Sequence, residues 1–597
     1  MSRYLEHLIA LRAELAGVGL NGFLLGTGDE HITEYPAAYA KRLEWLTGFK
    51  GSTASAAVLM DRAALFVDGR YTVAARDQVD GDCYQIAPVP HTGPGAWLAE
   101  HGRGGDRIGY DPRLYTRTSI NQITSTLAVS GVELIPVAAN PLDRLWLDQP
   151  GRPATPMFVQ PIEKAGMSSD DKRCAVADLL RAGKLDASIL VALDSIAWLL
   201  NIRASDVEFA PLAYAFGICW SDGSVDLFVD ESKLSYAVLR HLGAGVRTFG
   251  YDDFYPALER MAGRRVAVDP DLSPIAVYQA LAKGGAQVRD MADPTRMPKA
   301  IKNPVEIEGM KQAHLRDGAA LTQFLYWLSG EAPKGRQTEM SAAERLAGFR
   351  RAEAGFHGLS FPTISAADAN AALPHYDATA ETDRPINPNS IYLVDSGGQY
   401  SGGTTDVTRT VAIGGARQEI RDRFTRVLKG HIAIARLTFP AGTMGFRLDP
   451  FARRALWEVG LDYALGTGHG VGHFLNVHEG PAHMLAAPRP GDAGIEAGMI
   501  LSNEPGYYKE GDYGIRIENL VVAVPRDIPG ATKPMLGFET ITMAPIDRML
   551  IDTALLTDAE LDWLNDYHAA VLGSIGPLVP PDVRSWLEIQ TSPIGRA

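Results

Sequence analysis

Four carboxylates and one imidazole in the last third of the sequence could together hold metal ions. They are Asp395, Asp406, His469, Glu504 and Glu518, and each lies in a loop or strand segment rich in glycine and threonine. An oxygen-rich ligand set of this kind suits Mn²⁺, Zn²⁺ or Co²⁺, and clustered carboxylates repel one another unless cations neutralise them. These residues therefore predict a two-metal hydrolase site.

The first two carboxylates are predicted to face each other across a hairpin. Residues 391–395 (IYLVD) form an apolar strand that ends in an acid, residues 405–410 (TDVTRT) are β-prone, and a glycine-rich link joins them. A single Asp beside Ser and Gly is more often a turn cap. Two opposed acids in an apolar hairpin favour a cation site, because buried like charges require a cation.

Three histidines stand among glycines a little further along the chain. Residues 466–473 read GTGHGVGH and residues 476–481 read NVHEGP, which places His469, His473 and His478 close together. Glycine lets the backbone bring imidazoles near a metal or a peptide. A phosphate-binding loop is disfavoured, since no Gly-Lys-Ser or Gly-Lys-Thr follows. One histidine alone would more often be structural, whereas three in so short a segment favour a site.

The last two carboxylates follow apolar segments. Glu504 ends an apolar strand in residues 499–504 (MILSNE), and in residues 514–519 (GIRIEN) two isoleucines alternate with Arg516 and Glu518. On pattern alone, that alternation predicts an exposed edge strand with its charges in water. Only the resemblance described below reverses this interpretation.

Length, charge and cysteine content restrict the class of protein. The chain has 597 residues, of which 46% are hydrophobic, and at roughly 150 residues per domain it predicts three or four globular domains. The formal charge of −14 argues against nucleic acid bound by a basic face. Three widely spaced cysteines form neither a metal-binding pair nor a disulfide framework and favour a reducing compartment, the cytoplasm.

The first 20 residues predict an amphipathic helix rather than a targeting segment. Leucines recur there at steps of three and four, and charged residues interrupt them, namely Arg3, Glu6, Arg12 and Glu14. The sequence has no apolar run of 18 residues, so we expect no membrane span.

Two stretches of the first half resemble each other and predict a duplicated domain. Residues 45–52 (WLTGFKGS) and 198–205 (WLLNIRAS) are each interpreted as a strand edge after a loop. A leucine-rich helix, a short apolar strand and an acidic turn at Asp29 or Asp194 precede each of them, as expected for two copies of one α/β domain.

Proline-rich segments mark the predicted domain boundaries. We expect one α/β domain at residues 1–153, a second at residues 154–298 and a catalytic α+β domain at residues 299–597. The third begins with a helix from Val305 to about Leu328 and ends in a helical extension from Thr557.

Taken in order, the candidate metal-site segments resemble the motifs of the M24 metallopeptidases of the pita-bread fold, most closely the long, three-domain aminopeptidase P type. Further matching segments are residues 45–49 (WLTGF), 66–71 (FVDGRY), 302–307 (KNPVEI), 538–539 (FE) and 544–547 (APID). The resemblance implies two creatinase-N-like α/β domains followed by a pita-bread domain. It also implies a homodimeric Xaa-Pro aminopeptidase, which removes the first residue from peptides with proline in second position.

The resemblance also assigns the five candidate ligands. Asp395 is expected to be a terminal ligand of one ion, Asp406 and Glu518 to bridge two ions, and His469 with Glu504 to complete the second site. The ions implied are Mn²⁺, with Zn²⁺ or Co²⁺ as alternatives.

Other residues receive roles from the same resemblance. Glu504 is expected to carry a proton to the leaving nitrogen, and His375 and His478 to bind substrate and stabilise the transition state. Arg516 and Tyr508 are expected to orient the ligands.

One position departs from the family pattern. The long type often has a histidine four residues before His469, where this chain has Leu465. We expect His473 to take over its role, with altered substrate handling rather than loss of a metal ligand.

Four alternatives use the same fold. A prolidase has the same ligands but cleaves only Xaa-Pro dipeptides and usually lacks the duplicated N-terminal domain. Creatinase lacks the metals, and a methionine aminopeptidase would not need the first 300 residues. A non-catalytic module that binds peptides or histones would have lost ligands that this chain keeps.

Overall fold

The computed structural model describes residues 2–69, 71–89 and 92–596, so Arg70 in the motif at 66–71 lies outside the described residues. The chain divides into two compact units. The first comprises Met1–Gln160 and Met167–Arg296, and the second comprises Pro161–Gly166 and Met297–Ala597. The predicted boundaries at residues 153 and 298 are finer than this division and stay predictions.

Two six-stranded sheets with the same topology form the first unit. The first sheet has the order β4-β3-β2-β1-β5-β6, and β1, β2 and β3 pair antiparallel while the remaining pairs are parallel. Its strands are β1 (Gly22–Gly26), β2 (Ala54–Leu59), β3 (Ala63–Val67), β4 (Gln85–Pro88), β5 (Arg107–Tyr110) and β6 (Glu133–Pro136).

The second sheet repeats this arrangement strand by strand. Its order is β10-β9-β8-β7-β11-β12, with antiparallel and parallel pairs at the equivalent places. The strands are β7 (Ala187–Leu190), β8 (Ala215–Trp220), β9 (Val225–Val229), β10 (Val246–Phe249), β11 (Arg265–Val268) and β12 (Gln287–Asp290). The shared topology supports the predicted duplication.

The two tryptophan segments that suggested the duplication begin inside helices rather than at strand edges, although the second also contains the two-residue strand Ile202–Arg203. Trp45 lies in helix Arg42–Thr47 and Trp198 in helix Leu193–Leu200. Each helix ends at a residue in the left-handed conformation, Gly48 and Asn201, which are the residue types that favour this cap. The strand interpretation was wrong for the two tryptophans, because a short apolar run fits a buried helix as well as a strand.

Helices flank both sheets of the first unit. The N-terminal amphipathic helix is confirmed as Arg3–Gly17 and buries three of its leucines. The other helices are Thr72–Gln78, Pro94–His101, Arg117–Leu127, Pro141–Leu145, Ser169–Ala182, Tyr236–Leu242, Phe254–Leu258 and Ile275–Lys283.

The second unit begins with a long helix, Pro304–Glu331, which confirms the helix predicted from Val305. Asn303 and Glu306 form a capping box at its start, satisfying backbone N–H groups that the first turn leaves unpaired. The other helices are Ile162–Ala165, Arg296–Ala300 at the boundary, Glu339–Arg351, Gln418–Ala435, Asp449–Trp457, Asp558–Ile575 and Pro581–Gln590.

Antiparallel strands of the second unit position the candidate site. One sheet has the order β13-β14-β15 and another the order β16-β21-β20-β18. The strands are β13 (Ile364–Ala367), β14 (Ser390–Ser396), β15 (Val407–Ile413), β16 (Thr438–Pro440), β17 (Gly468–His469), β18 (Ile500–Asn503), β19 (Tyr513–Arg516), β20 (Asn519–Arg526) and β21 (Met535–Thr540).

The predicted C-terminal extension packs into the core of the second unit. Helix Asp558–Ile575 begins at a capping box of Thr557 and Glu560. Its Leu561 and Leu564 are buried in one cluster with residues of helix Gln418–Ala435. Across the part of the chain that the structure describes, no helix has both the length and the apolar character needed to cross a membrane.

Candidate metal centre

Asp395 and Asp406 lie at the end of a hairpin where the connecting link joins its two strands. Strands β14 and β15 pair antiparallel with Asp395 opposite Thr408, and Asp406 directly precedes β15. This confirms the predicted hairpin, whose link includes the short strands Gly398–Tyr400 and Gly403–Thr404, but the register does not place Asp395 directly opposite Asp406 as predicted. Both carboxylates are buried.

One carboxylate oxygen of Asp395 accepts a hydrogen bond, and the other has no donor among the described residues. The Arg516 guanidinium donates from Nη2 to Oδ2 over 2.5 Å, whereas no group among the described residues donates to the buried Oδ1. Burial, reinforced by the charges of Asp406 and Glu504, raises the pKa of Asp395 to about 6 although Arg516 opposes the shift.

His469 points its Nε2 atom toward two carboxylates. Nε2 lies 3.5 Å from Oδ2 of Asp406 and 3.4 Å from Oε1 of Glu504. Nδ1 lies 3.0 Å from the carbonyl oxygen of Gly470, which can only accept, so Nδ1 is protonated in both charge states of the ring, and Nε2 is the nitrogen that can bind a cation once its own proton has left. Burial opposes the charged imidazole, but the two carboxylates outweigh it and raise the pKa of His469 to about 9.

The glycine before His469 allows two strands to come close. A Cβ atom at Gly468 would collide with the carbonyl oxygen of Ser502 in β18. The Ser502 hydroxyl accepts from the His469 backbone N–H at 2.9 Å and donates to Oε1 of Glu504 at 2.9 Å. Ser502 therefore links the histidine strand to Glu504, whose side chain retains 17% exposure.

Glu518 is the most deeply buried carboxylate of the group, at 1% exposure. The Thr408 hydroxyl donates to its Oε2 over 2.8 Å, and Oε1 has no hydrogen-bond partner within the described chain. Burial, together with the negative charges of Asp406 and Asp395, raises the pKa of Glu518 well above its ordinary value.

The pattern-based prediction of an exposed edge strand at residues 514–519 was wrong. Arg516 is also 1% exposed, because β19 lies against β15 and Thr410 hydrogen-bonds both the N–H and the carbonyl of Arg516. Tertiary contacts decide the burial of a short alternating segment, and the alternation alone cannot show them.

Arg516 holds three neighbours in place. Besides Asp395, its Nη1 donates to the hydroxyl of Tyr508 over 2.6 Å and its Nε donates to the hydroxyl of Thr408 over 3.0 Å. The Arg516 guanidinium thus connects the ligand candidates Asp395 and, through Thr408, Glu518.

The residues present fit a pair of divalent cations. Asp406, His469 and Glu518 each offer a ligand atom, and these atoms lie within 4.8 Å of one another. The unpartnered oxygens of Asp395 and Glu518 are buried acceptors that a cation would satisfy. Carboxylates with raised pKa values beside an imidazole indicate a cluster that is electrostatically unfavourable without positive charge.

The two histidines predicted to act on substrate lie in different segments. The His478 ring is 4.4 Å from the His469 ring and perpendicular to it, so it borders the site. His375 is half-buried in the loop between the short helix Asp368–Ala372 and β14. The roles of both stay predictions.

The departure at Leu465 is accommodated in the core. Leu465 is 9% exposed, and its carbonyl accepts from Arg453. His473 is buried with its Nδ1 4.0 Å from Oε1 of Glu306 at the start of the long helix. That His473 takes over the role of the histidine absent at position 465 stays a prediction.

The motif at residues 302–307 supports the segment that carries His478. Lys302 donates to Oε1 of Glu479 over 2.5 Å, and Lys299 lies 3.7 Å from Oε2 of the same carboxylate. Glu479 directly follows His478, so these buried charges hold the histidine segment against the start of the domain.

Sequence reasoning missed three supporting residues. Thr408 and Ser502 each lie two positions from a candidate ligand, on the same face of the strand, and this spacing could have pointed to them. His431 had no local signal: it lies on helix Gln418–Ala435 and binds residues adjacent to Glu504 and Glu518.

Comparison with known proteins gives the same domain order. Residues 308–525 match metallopeptidase family M24, residues 8–145 and 148–306 each match the creatinase/prolidase N-terminal domain, and residues 534–594 match the C-terminal region of peptidase M24. These matches confirm the predicted fold class.

Full-length relatives are similar to the chain. A probable Xaa-Pro aminopeptidase P of Coccidioides posadasii is 40% identical over 607 residues, covering 99% of each chain. The crystal structure of X-prolyl aminopeptidase from Caenorhabditis elegans, described as a cytosolic enzyme with a di-nuclear active site, has a TM-score of 0.94 at 34% identity and covers 100% of both chains. The prolidase from Pyrococcus horikoshii shares the fold at a TM-score of 0.50 and 22% identity, covering 63% of this chain and 99% of its own.

Proposed function

The chain belongs to metallopeptidase family M24, and on this premise we propose that it is an Xaa-Pro aminopeptidase that removes the N-terminal residue from peptides with proline in second position. The observation that carries the proposal is that His469 lies close to Asp406, Glu504 and Glu518, while Asp395 and Glu518 each keep a buried oxygen with no donor among the described residues. The full-length similarity to Xaa-Pro aminopeptidases supports the substrate class.

Two divalent cations occupy the site in this proposal. Asp395 would hold one ion, His469 and Glu504 would hold the other, and Asp406 and Glu518 would supply oxygens to both. When bound, such ions provide a water nucleophile at neutral pH and polarise the scissile carbonyl. Mn²⁺ is the proposed metal, with Zn²⁺ or Co²⁺ as alternatives that the same ligands accept.

Glu504 is the proposed proton carrier. Of the two carboxylates near Nε2 of His469, Glu504 has the more exposed side chain, 17% against 5% for Asp406. The Ser502 hydroxyl donates to Oε1 of Glu504. When the C–N bond breaks, the proline nitrogen must receive a proton so that it leaves as an amine rather than as an amide anion. Glu504 can take that proton from the attacking water and deliver it to the nitrogen.

His478 and His375 are proposed to donate hydrogen bonds to the substrate carbonyl oxygen. Such donors contribute most where negative charge develops in the transition state. The position of His478 beside His469 and the anchoring of Glu479 by Lys302 support this role for His478. For His375 the support is its place in the family motif.

A prolidase is the second candidate, since the prolidase fold accounts for 63% of this chain. The two N-terminal domain matches at residues 8–145 and 148–306 favour the aminopeptidase. We also propose that the chain has three domains, with boundaries near residues 153 and 298. A cytoplasmic location is proposed as well, and the similarity to a cytosolic enzyme supports it. We further propose a homodimer, which light scattering would test.

Peptide hydrolysis by chelator-treated protein tests the proposed function. The substrates are Arg-Pro-Pro, Ala-Pro and Ala-Ala-Pro, with and without added Mn²⁺. We expect Mn²⁺-dependent release of free Arg from the first and no cleavage of the last. Activity confined to Ala-Pro would indicate a prolidase, and no hydrolysis with any metal would favour a peptide-binding protein.

A further inference from the structure

A cavity of about 220 Å³ in the first unit is lined by three arginines, Arg42, Arg113 and Arg152. We propose that it binds a small oxyanion, that is, a ligand with a carboxylate or phosphate group. The site is independent of the proposed peptidase activity, since every lining residue belongs to the first unit.

Arg42 supplies the principal reason for a ligand. It is 6% exposed, and it donates to the two oxygens of Asp143 from Nε over 2.6 Å and from Nη2 over 3.2 Å. Its Nη1 is buried and has no acceptor anywhere in residues 2–69, 71–89 and 92–596. A buried N–H donor of a charged group without an acceptor is rare in folded proteins, and an anion in the cavity would satisfy it.

Arg113 and Arg152 also use only part of their guanidinium groups on neighbours. Arg113 binds Asp111 through Nε and Nη2 over 3.0 and 2.7 Å. The Arg152 guanidinium stacks 3.8 Å above the ring of Tyr251, and its Nε lies 3.7 Å from Oε1 of Glu30. Both side chains retain partial exposure, 41% and 34%, so a ligand can reach them.

The carboxylates of the lining already have donors. Glu30 accepts from the hydroxyls of Tyr39 and Tyr251, each over 2.9 Å, and Asp143 accepts from Gln149 over 3.1 Å as well as from Arg42. Each arginine also has a carboxylate partner: Asp143 for Arg42, Asp111 for Arg113, and Glu30 with Asp252 for Arg152. The group left without a partner is an N–H donor, the Nη1 of Arg42, and a donor is satisfied by an anion rather than by a cation.

Size and geometry narrow the class of ligand. The volume is below the roughly 300 to 1,000 Å³ of sites for drug-sized molecules. Guanidinium groups bind carboxylate and phosphate with paired N–H donors in one plane. A metabolite of a few carbon atoms with one such group matches the cavity.

The position of the cavity gives ligand binding a structural consequence. Arg152 follows the first sheet in the chain, and Tyr251, on which it stacks, follows β10 of the second sheet. An anion bound by Arg152 and Arg42 would join the two halves of the first unit. Binding should therefore raise the thermal stability of that unit.

Sulfate is the probe for the test, applied to the full chain after metal removal. Melting temperature is measured against sodium sulfate concentration, with sodium chloride at equal ionic strength as the baseline. The test variants are Arg113→Gln and Arg152→Gln. The matched control is Arg117→Gln, because Arg117 has 39% side-chain exposure, pairs with Asp290 and stacks on Tyr278, yet does not line the cavity.

We expect a saturable rise in melting temperature for the wild type and for Arg117→Gln, with at least tenfold weaker sulfate binding in both test variants. Competition by acetate would identify a carboxylate ligand, and competition by phosphate a phosphate ligand. The proposal is overturned if sulfate gives no saturable rise, or if both test variants respond like the wild type, as they would for sulfate bound at the metal centre.

Discussion

Single residues determine which oxygen atoms the candidate metal site offers. Arg516 occupies Oδ2 of Asp395 and Thr408 occupies Oε2 of Glu518, so each carboxylate keeps one buried oxygen that no described residue binds. Hydrogen bonds of this kind orient metal ligands before the metal arrives. Thr408 has a special place because its hydroxyl donates to Glu518 and accepts from Arg516.

Substitution of Thr408 tests this orientation. We expect Thr408→Val to lower activity or metal affinity by about 10- to 100-fold, because Glu518 loses the donor that fixes its rotamer. Thr408→Ser keeps the hydroxyl and should stay close to wild type. The measurement is Mn²⁺ affinity together with kcat/KM on Arg-Pro-Pro. Equal values for the valine and serine variants would contradict the orienting role.

The metal-free site should hold protons that a cation has to displace. The pKa of His469 is raised to about 9 and that of Asp395 to about 6. Protonated His469 therefore stabilises the metal-free fold fully below about pH 6.5, and this contribution is lost as the pH rises through 9. Mn²⁺ binding at pH 7 should release protons, and fewer of them as the pH approaches 9.

Calorimetry in buffers of different ionisation enthalpy measures this release. The expected result is a binding enthalpy at pH 7 that depends on the buffer, with a dependence that weakens at higher pH. A buffer-independent enthalpy at pH 7 would show that the ligands are already deprotonated.

The sequence predicted the ligand types better than their surroundings. Asp395 and Asp406 could be assigned to one hairpin because Asp395 lies near the end of one recognisable strand and Asp406 directly before the next. The burial of Glu518 could not be predicted, because alternation with Arg516 is the pattern of an exposed strand and only the contact with Thr410 in β15 reverses it.

At the scale of elements, helix Gln418–Ala435 holds two strand ends together. His431 on this helix donates from Nδ1 to the carbonyl of Asn503 over 3.1 Å, and its Nε2 accepts from Asn519 over 3.1 Å. Burial and the nearby charge of Arg409 lower the pKa of His431 to about 3. The ring is therefore neutral, and it can donate from one nitrogen and accept at the other. Asn503 precedes Glu504 and Asn519 follows Glu518, so His431 sets the spacing of two ligands.

Replacement of His431 by Phe keeps a buried ring and removes both hydrogen bonds. We expect about tenfold weaker Mn²⁺ binding and about 1–3 kcal/mol lower stability, because buried partners of the imidazole are left unpaired. His568→Phe is the matched control: His568 is a buried histidine that accepts from Ile546 and is remote in sequence from the ligands. Titration with Mn²⁺ and thermal unfolding of both variants make the comparison. The spacing role fails if the two variants bind Mn²⁺ equally.

Helices could be predicted from the sequence where the periodic pattern of apolar residues extends over several turns. The helix from Val305 and the C-terminal helix after Thr557 have several turns of periodic apolar residues and cap signals, and both are present. The segments at Trp45 and Trp198 are only two turns or less, too short for periodicity to separate a helix from a strand. Their common capping residues, Gly48 and Asn201, were the better indicator.

At the scale of the whole molecule, the sequence predicted both the duplicated N-terminal domain and the confinement of the candidate metal site to the C-terminal part. Two α/β halves with equal strand order form one unit, and the candidate metal site lies entirely in the other. The arginine-lined cavity was not predictable, because its residues, from Glu30 to Arg152, come together only through the fold of the first unit. Long-range contacts of this kind leave no local pattern.

The two-metal site is tested most directly by the number of Mn²⁺ ions that metal-stripped protein binds per chain, measured by titration alongside release of Arg from Arg-Pro-Pro. We expect two ions for the wild type and for the control Glu539→Gln, since Glu539 is an exposed residue paired with Lys311. For Glu518→Gln we expect fewer than two ions and loss of turnover. Two ions and full turnover in Glu518→Gln, or turnover by wild-type protein without metal, would contradict the two-metal site.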